Sequence, residues 1–464
     1  MYHLLPFRFK RLSNKEILVN EVGDFLFVPA GTARLIVDRA IDVESELHKD
    51  LFSNFFISET KVPYLIDNLA VRYRTKKAFL NDFTALHIFV LTLRCNQNCQ
   101  YCQASSRVCE KHEYDMTYET LEHSISLMFE SPSPAITVEF QGGEPTLVPH
   151  LIKFAIEKVE ELNSRHRKKI TYVSCTNLTN LKNEILDICL KYNVLISTSL
   201  DGPKFIHDAN RGKEGSYDEV IRGIKKSRLA LGHDRVSALM TTSELSLNYP
   251  KEIVDNYIEN GFSNIFLRAL NPYGNAKGND WKSYYERFTD FFEQSLNYII
   301  DLNKQGTFIV EDFTSILVRK MLTPFNVGFV DLQSPAGIIN SVIVYNYDGF
   351  VYASDESRML AEHGDFTFRL GKVTDSYQDV FYGDKVQKIA KVWANEALPG
   401  CSECAYQTYC GADPVRNYTQ QGDMIGFRPA SYFCSKNMKI IDIIFEMLIN
   451  RKEEVLPIFK KWIS

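Results

Sequence analysis

The chain has 464 residues, too many for one ordinary hydrophobic core and suited to about three domains of common size. Hydrophobic residues make up 45%, aromatic residues 12% and charged residues 24%, which excludes a largely disordered chain. With 53 basic against 58 acidic residues the net charge is −5, so the balance favours no nucleic-acid partner, and no apolar run approaches the roughly 18 residues that span a membrane.

The start, MYHLLPFRFKRL, meets charge before a signal-peptide core can form, which points to the cytoplasm. In that reducing compartment ten cysteines read as metal ligands rather than disulfides. Seven of them fall in two groups, and Cys109, Cys175 and Cys189 outside the groups read as buried or incidental thiols.

Near the start, FRFKRL, KEILVNEVG and DFLFVP predict a strand meander and ARLIVDRAIDVESELHKDLF a helical stretch, so residues 1–85 form a small α+β domain. From 86 to 306, strand-like runs alternate with amphipathic helices, as in parallel βα units. LHIFVLTLRC precedes TYETLEHSISLMF, ITVEFQGGEP precedes HLIKFAIEKVEEL, and ITYVSCTN precedes NEILDICLKY; LISTSLDGP, RVSALMTTS and NIFLRALNP continue the series to six units. A closed barrel of this kind has eight, so the α/β fold expected is a partial (β/α)6 barrel with its chemistry at the C-terminal ends of the strands. In residues 307–464, SVIVYNYDGFVYAS reads as a hairpin turning at Asp348 and Gly349. The second cysteine group follows, and NMKIIDIIFEMLINRKEEV supplies a last helix.

The first group, in LTLRCNQNCQYC, ends the first barrel strand with Cys95, Cys99 and Cys102. Iron–sulfur clusters take four thiolates, so three with no near fourth leave one iron open to an outside ligand. A structural zinc site needs a further Cys or His in reach. The spacing C-x3-C-x2-C, with Tyr101 before the last cysteine, resembles the signature of the radical S-adenosylmethionine (SAM) superfamily, and the likeness extends over residues 86–306 in strand order. The resemblance implies a catalytic four-iron four-sulfur cluster on Cys95, Cys99 and Cys102. SAM chelates its open iron and is cleaved to a 5′-deoxyadenosyl radical that abstracts a substrate hydrogen. Tyr101 then lies near the adenine.

Other motifs follow the family's order. QGGEP resembles the segment that receives the SAM amino group, with Gly142 and Gly143 allowing close backbone approach and Glu144 pairing with the ammonium. Thr176 with Asn177, and Ser199 to Gly202 (SLDG), resemble later strand ends that contact ribose and carboxylate, although Leu178 stands where relatives often carry Gly. IHDANR, residues 206–211, resembles a subgroup that modifies peptides; His207, Asp208 and Arg211 read equally as loop and helix-cap residues.

CSECAYQTYC supplies Cys401, Cys404 and Cys410, and Cys434 makes a set of four whose spacing suits zinc or an iron–sulfur cluster. Beside the first motif, the segment resembles the auxiliary-cluster domain called SPASM. Ser334, Ser354 and Pro414 stand at three of that pattern's cysteine positions, while Gly349 is kept. The three absent cysteines bind the inner auxiliary cluster in relatives, and the four retained ones bind the outer cluster. The resemblance therefore implies two [4Fe-4S] clusters, one catalytic with three Cys ligands and one auxiliary with four.

The N-terminal segment resembles a small peptide-recognition domain that binds a leader as an added strand, although a capping domain without a ligand gives the same pattern. Over its whole length the chain is similar to the His-Xaa-Ser system radical SAM maturases. That similarity implies a small precursor peptide with His-Xaa-Ser repeats, a second radical SAM protein as partner and a reducing donor such as flavodoxin or ferredoxin. The activity it implies is hydrogen abstraction from a peptide residue, giving a cross-link or another modification. An anaerobic sulfatase-maturing type acting on a protein Cys or Ser is the first alternative, opposed by the missing inner-cluster ligands. A non-catalytic iron–sulfur or zinc scaffold is opposed by the open iron and GGEP, and an RNA-modifying enzyme by the acidic balance. No substrate-side acid or base stands out among the many Tyr, Asp and Glu residues.

Overall fold

The computed structural model describes residues 2–61, 64–276, 278, 280–325 and 327–464. Strands β1 (Phe7–Leu12), β2 (Lys15–Asn20) and β3 (Phe25–Pro29) form an antiparallel meander with β2 in the middle. Central β2 carries KEILVN and is buried almost throughout. Its Glu16 is 1% exposed, and the carboxylate accepts from the Gly31 and Ala33 N–H groups at 2.8 Å each, so it neutralises the start of the helix Thr32–Val37. The helical stretch expected over 33–52 is split into Thr32–Val37 and Glu46–Ser53. Asp42 accepts from the Glu44 N–H (3.1 Å), and Ser45 caps the second helix through the His48 N–H (3.1 Å), so side chains take up backbone donors where the helix is interrupted. A third helix, Tyr64–Lys76, completes this region.

Five parallel strands follow in sequential order: β4 (Leu86–Thr92), β5 (Ala135–Gly142), β6 (Lys169–Thr176), β7 (Leu195–Ser199) and β8 (Val236–Leu239). β4, LHIFVLT, is buried from its second residue on, as a parallel strand covered on both faces must be. The crossovers are helices such as Tyr118–Phe129 and Pro149–His166, the first capped by Thr117 and the second opened by Pro149. The sixth unit keeps its helix, Trp281–Lys304, but not a full ladder. Asn264–Ile265 pairs with Val310–Glu311, and the segment meets the main sheet through a bridge between Thr242 and Ala269. The Tyr284 hydroxyl enters the gap, accepting from the Leu270 N–H (2.8 Å) and donating to the Thr242 carbonyl (2.5 Å). A side chain thus takes ladder positions there.

On the other side of β4 lies β9 (Val342–Tyr345), parallel to it, followed by β10 (Phe350–Tyr352) and β11 (Arg369–Lys372), both antiparallel. The sheet therefore has eight strands in the order β8-β7-β6-β5-β4-β9-β10-β11. The hairpin between β9 and β10 turns at Asp348 and Gly349 as expected, with Gly349 at φ +80°. Among the described residues no helix is long and apolar enough to cross a membrane.

The last long helix, Tyr432–Asn450, packs on Trp281–Lys304 and also receives the meander. Phe445 is fully buried, with ring centroids 5.1 Å from Phe25, 5.7 Å from Phe27, 5.6 Å from Tyr406 and 5.8 Å from Tyr409. Replacing it by alanine is expected to cost about 3–5 kcal/mol. Phe445→Ala should lower the thermal midpoint and speed proteolysis of the meander, whereas an unchanged midpoint and cleavage pattern would contradict this seam.

Candidate active site

The C-terminal ends of β4 to β8 surround a cavity of about 530 Å³. Cys95, Cys99, Cys102, Tyr101, Gly142, Gly143, Asn177 and Ser199 all line it, so residues scattered over more than one hundred positions meet at one place. Glu144 is not among its lining residues.

The first wall is the loop after β4. A Cβ at Gly142 would lie 2.2 Å from the Thr92 carbonyl oxygen, and one at Gly143 would lie 2.3 Å from that of Arg94. The glycine pair thus lets the end of β5 press on the segment entering the cysteine loop. The Gly143 N–H donates to the Thr92 carbonyl and the Glu144 N–H to the Arg94 carbonyl, both at 2.8 Å. Arg94 in turn forks onto Asp115 at 2.8 Å through both nitrogens.

Glu144 is 1% exposed, and its carboxylate is filled from within the protein. Oε1 accepts from the Thr146 N–H (3.0 Å), the Thr146 hydroxyl (2.6 Å) and the Thr176 hydroxyl (2.6 Å), and Oε2 from the Asn177 N–H (2.7 Å). Burial raises its pKa despite those donors. Here Glu144 joins the ends of β5 and β6 rather than facing the cavity. Asn177 lines the cavity, but its amide nitrogen donates to Asn96 (2.8 Å) and its oxygen accepts from Thr179, so its polar atoms also hold the loop.

The opposite wall centres on Asp201, fully buried at the end of β7. Tyr101 donates to it at 2.6 Å, and Arg211 forks onto it at 2.9 and 2.8 Å. Burial works to raise this carboxyl, but the Arg211 charge, the His207 charge and the hydrogen bonds from Arg211 and Tyr101 together outweigh it and hold the group below its usual range. One further Arg211 nitrogen stands 3.9 Å from the Cys99 sulfur, and the guanidinium lies 5.4 Å from the centre of the Tyr101 ring. The rest of IHDANR is also structural: Asp208 accepts from the Gly215 and Tyr217 N–H groups, and the Asn210 carbonyl accepts from Gln100 (3.0 Å). The motif thus fastens the cysteine loop to β7.

Three thiols on one loop suit a cluster bound by three cysteines, and the fourth cysteine of the lining, Cys175, sits on β6 with its thiol hydrogen-bonded to Glu139. Burial, then the Glu144 charge, pushes Cys95 up to about 12, and burial raises Cys99, so iron must displace their protons. Among the described residues no three Cys, His, Asp or Glu side chains are grouped as a single metal ion needs. A four-iron cluster makes no such demand, because each thiolate meets a different iron.

Sequence reasoning missed Glu139, Cys175, Arg268 and Asp355, all in the same lining. Cys175, read from sequence as incidental, faces the cavity with its thiol on the Glu139 carboxylate, which burial pushes up. Asp355, held by Arg358 at 2.7 Å, and Glu139 are the carboxylates the lining offers as proton acceptors. The inward positions of β5 and β6 were a usable signal for two of these, since strands alternate.

The second cysteine group gathers where the loop 398–410 meets the start of Tyr432–Asn450. The Cys404 N–H bonds the Cys401 carbonyl, the Cys434 N–H bonds Ser431, and the Asn437 amide lies 3.6 Å from the Cys410 sulfur. At the three positions lacking cysteine, Ser334 bonds Glu396, Ser354 caps the helix Asp355–Ala361, and Pro414 opens the helix Pro414–Gln421. Each has a local structural task of its own.

Gly143→Ala forces a Cβ against two backbone carbonyls that cannot yield cheaply. About 1–3 kcal/mol of stability should be lost. SAM binding by calorimetry should vanish with it; wild-type affinity would refute the role given to this contact.

Residues 89–256 match the model of the radical SAM superfamily. A cysteine-type anaerobic sulfatase-maturating enzyme of Clostridium perfringens is 22% identical over 368 residues, covering 77% of this chain and 95% of that one. The structure of native anSMEcpe with bound AdoMet superposes with a TM-score of 0.65 at 19% identity, over 80% of this chain and all of that one. Streptococcus suis SuiB bound to precursor peptide SuiA superposes with a TM-score of 0.52 at 15% identity, over 93% of this chain and 99% of that one. The match over residues 89–256, the parallel strands of that region and the three cysteines on the wall of one cavity at their ends together make the chain an enzyme whose central region is similar to the radical SAM superfamily.

Proposed function

We propose that the chain is a maturase that modifies a ribosomally made peptide, of the His-Xaa-Ser repeat type. What carries the reading is the N-terminal layout: an antiparallel meander followed by three helices, with β3 pairing only with β2 among the described strands. An outer edge of that kind can take a leader as an added strand through backbone bonds. The similarity to SuiB, solved with a precursor peptide, extends over this region and adds support.

Cys95, Cys99 and Cys102 hold the catalytic cluster, with Gly142, Gly143, Asn177, Ser199 and Tyr101 around SAM and Glu144 fixing the strand ends behind them. Cys401, Cys404, Cys410 and Cys434 hold one auxiliary cluster and leave it no open iron, which suits electron relay or a structural part. When bound, the catalytic cluster and SAM supply the radical that removes hydrogen from the peptide. The chain's own residues shape the rest. Arg211 and Asp201 keep the cysteine loop in place, the close-packed strand ends limit water, and Glu139 and Asp355 can take a proton from a peptide group held in the cavity.

The anaerobically reconstituted chain should contain near eight irons and cleave SAM. Near twelve irons, or near four with stoichiometric zinc, would remove the single auxiliary cluster from the assignment. Mass spectrometry of a His-Xaa-Ser precursor peptide after reaction should show a loss of two hydrogens; turnover of a sulfatase-type Cys peptide in its place would move the substrate assignment. Hydrogen exchange should slow across Phe25–Pro29 when the precursor binds, and unprotected amides there would end the leader role of β3.

A further inference from the structure

A second, smaller cavity of about 50 Å³ lies away from the barrel mouth, where the helix Tyr64–Lys76, the segment around Ser334 and the loop reaching Cys410 come together. Three lysines line it: Lys76, Lys77 and Lys320. Lys77 has a carboxylate partner, Glu396, at 2.7 Å, and Glu396 is further occupied by Tyr73 and Ser334. Glu21, the other acid in the lining, is bound by Arg8 at 3.0 Å. Among the described residues, the ammonium groups of Lys76 and Lys320 bond only backbone carbonyls, those of Lys320 and Leu332 respectively. Gln407 is 4% exposed, lines the same space, and its amide nitrogen has no hydrogen-bond partner among the described residues.

One buried and one half-buried ammonium group, neither with a carboxylate in ion-pair reach among the described residues although Asp24 lies near Lys76 and Glu396 and Cys410 near Lys320, and an unmatched amide donor make an environment short of acceptors. A water takes about 10–15 Å³ of such space, so the cavity of about 50 Å³ has room for roughly three to five atoms of that size. That admits a tetrahedral oxyanion and excludes a nucleotide or a peptide segment.

We propose that this cavity binds one small inorganic oxyanion, of phosphate or sulfate size, held by Lys76, Lys320 and the Gln407 amide. It joins the N-terminal region to the loop that carries Cys410, and it lies at Ser334, one of the positions where the SPASM pattern has a cysteine. The site is independent of the peptide reading.

The test is calorimetric titration of the iron-loaded full chain with sodium phosphate and with sodium sulfate, against sodium chloride at matched ionic strength. One saturable site is expected for phosphate or sulfate, weakened at least tenfold by Lys320→Met and by Gln407→Leu, with iron content and circular dichroism unchanged. Gln407→Leu alters no charge, so it keeps the test valid should Lys320→Met fail to fold. Absence of a saturable site, or equal affinity in the variants, overturns the proposal. So does a parent chain that binds no oxyanion while Lys320→Met loses iron, since the lysines would then be counter-charges for the cluster at Cys410.

Discussion

The molecule depends on a backbone contact that leaves no room for a Cβ. Gly142 and Gly143 lie against the carbonyls of Thr92, Leu93 and Arg94, and two N–H···O bonds tie the ends of β4 and β5 together. Glu144 extends the tie to β6 by accepting from Thr176 and Asn177. Three strand ends are therefore fixed by main chain and one saturated carboxylate, before any flexible loop is involved. The cysteine loop starts from this base, so Cys95 has a set position while Cys99 and Cys102 depend on what the far side supplies. Sites built on such rigid elements hold their geometry better than sites on loops.

The far side is electrostatic. Asp201 and Arg211 are both buried, and such a pair survives only when its hydrogen-bonding capacity is used. It is: Asp201 accepts from Tyr101, Arg211, the Thr241 N–H and, at longer range, Asn210. Losing one member of a buried pair costs about 3–5 kcal/mol in general. The same arginine sets a positive charge beside the Cys99 sulfur, where an anionic cluster would gain from it. One ion pair thus positions the loop and sets the charge around its Cys99 thiol.

Local chemistry was legible in the sequence. Cysteine spacing, the glycine pair and the hairpin turn are short-range signals, and the structure puts Cys95, Cys99 and Cys102 on one cavity wall and Gly349 in its turn. Long-range partners were not legible. The pairing of β9 with β4 joins residues about 250 positions apart, and nothing in VIVY names its neighbour. Glu139, Cys175 and Arg268 converge because the sheet curves, which no single strand reveals. Glu144 shows the converse: its motif was evident, but the four hydrogen bonds that occupy its carboxylate come from residues near and far. The sixth unit departs from the pattern because Tyr284, a helix residue, intrudes on the ladder.

The aromatic seam around Phe445 bears on modularity. A recognition domain on a tether can be exchanged between enzymes by cutting the tether. Here Phe25 and Phe27 are seated on the helix that begins with Cys434's turn, and Tyr409 donates to the Gly23 carbonyl at 2.8 Å. Lys10 adds an ion pair to Asp442 at 2.6 Å. A chimera carrying a foreign N-terminal sheet would need Tyr406, Tyr409, Asp442 and Phe445 refitted with it. The two ends of this chain are therefore obliged to change together, and a new property of the N-terminal sheet has to be sought within the native sheet rather than by grafting.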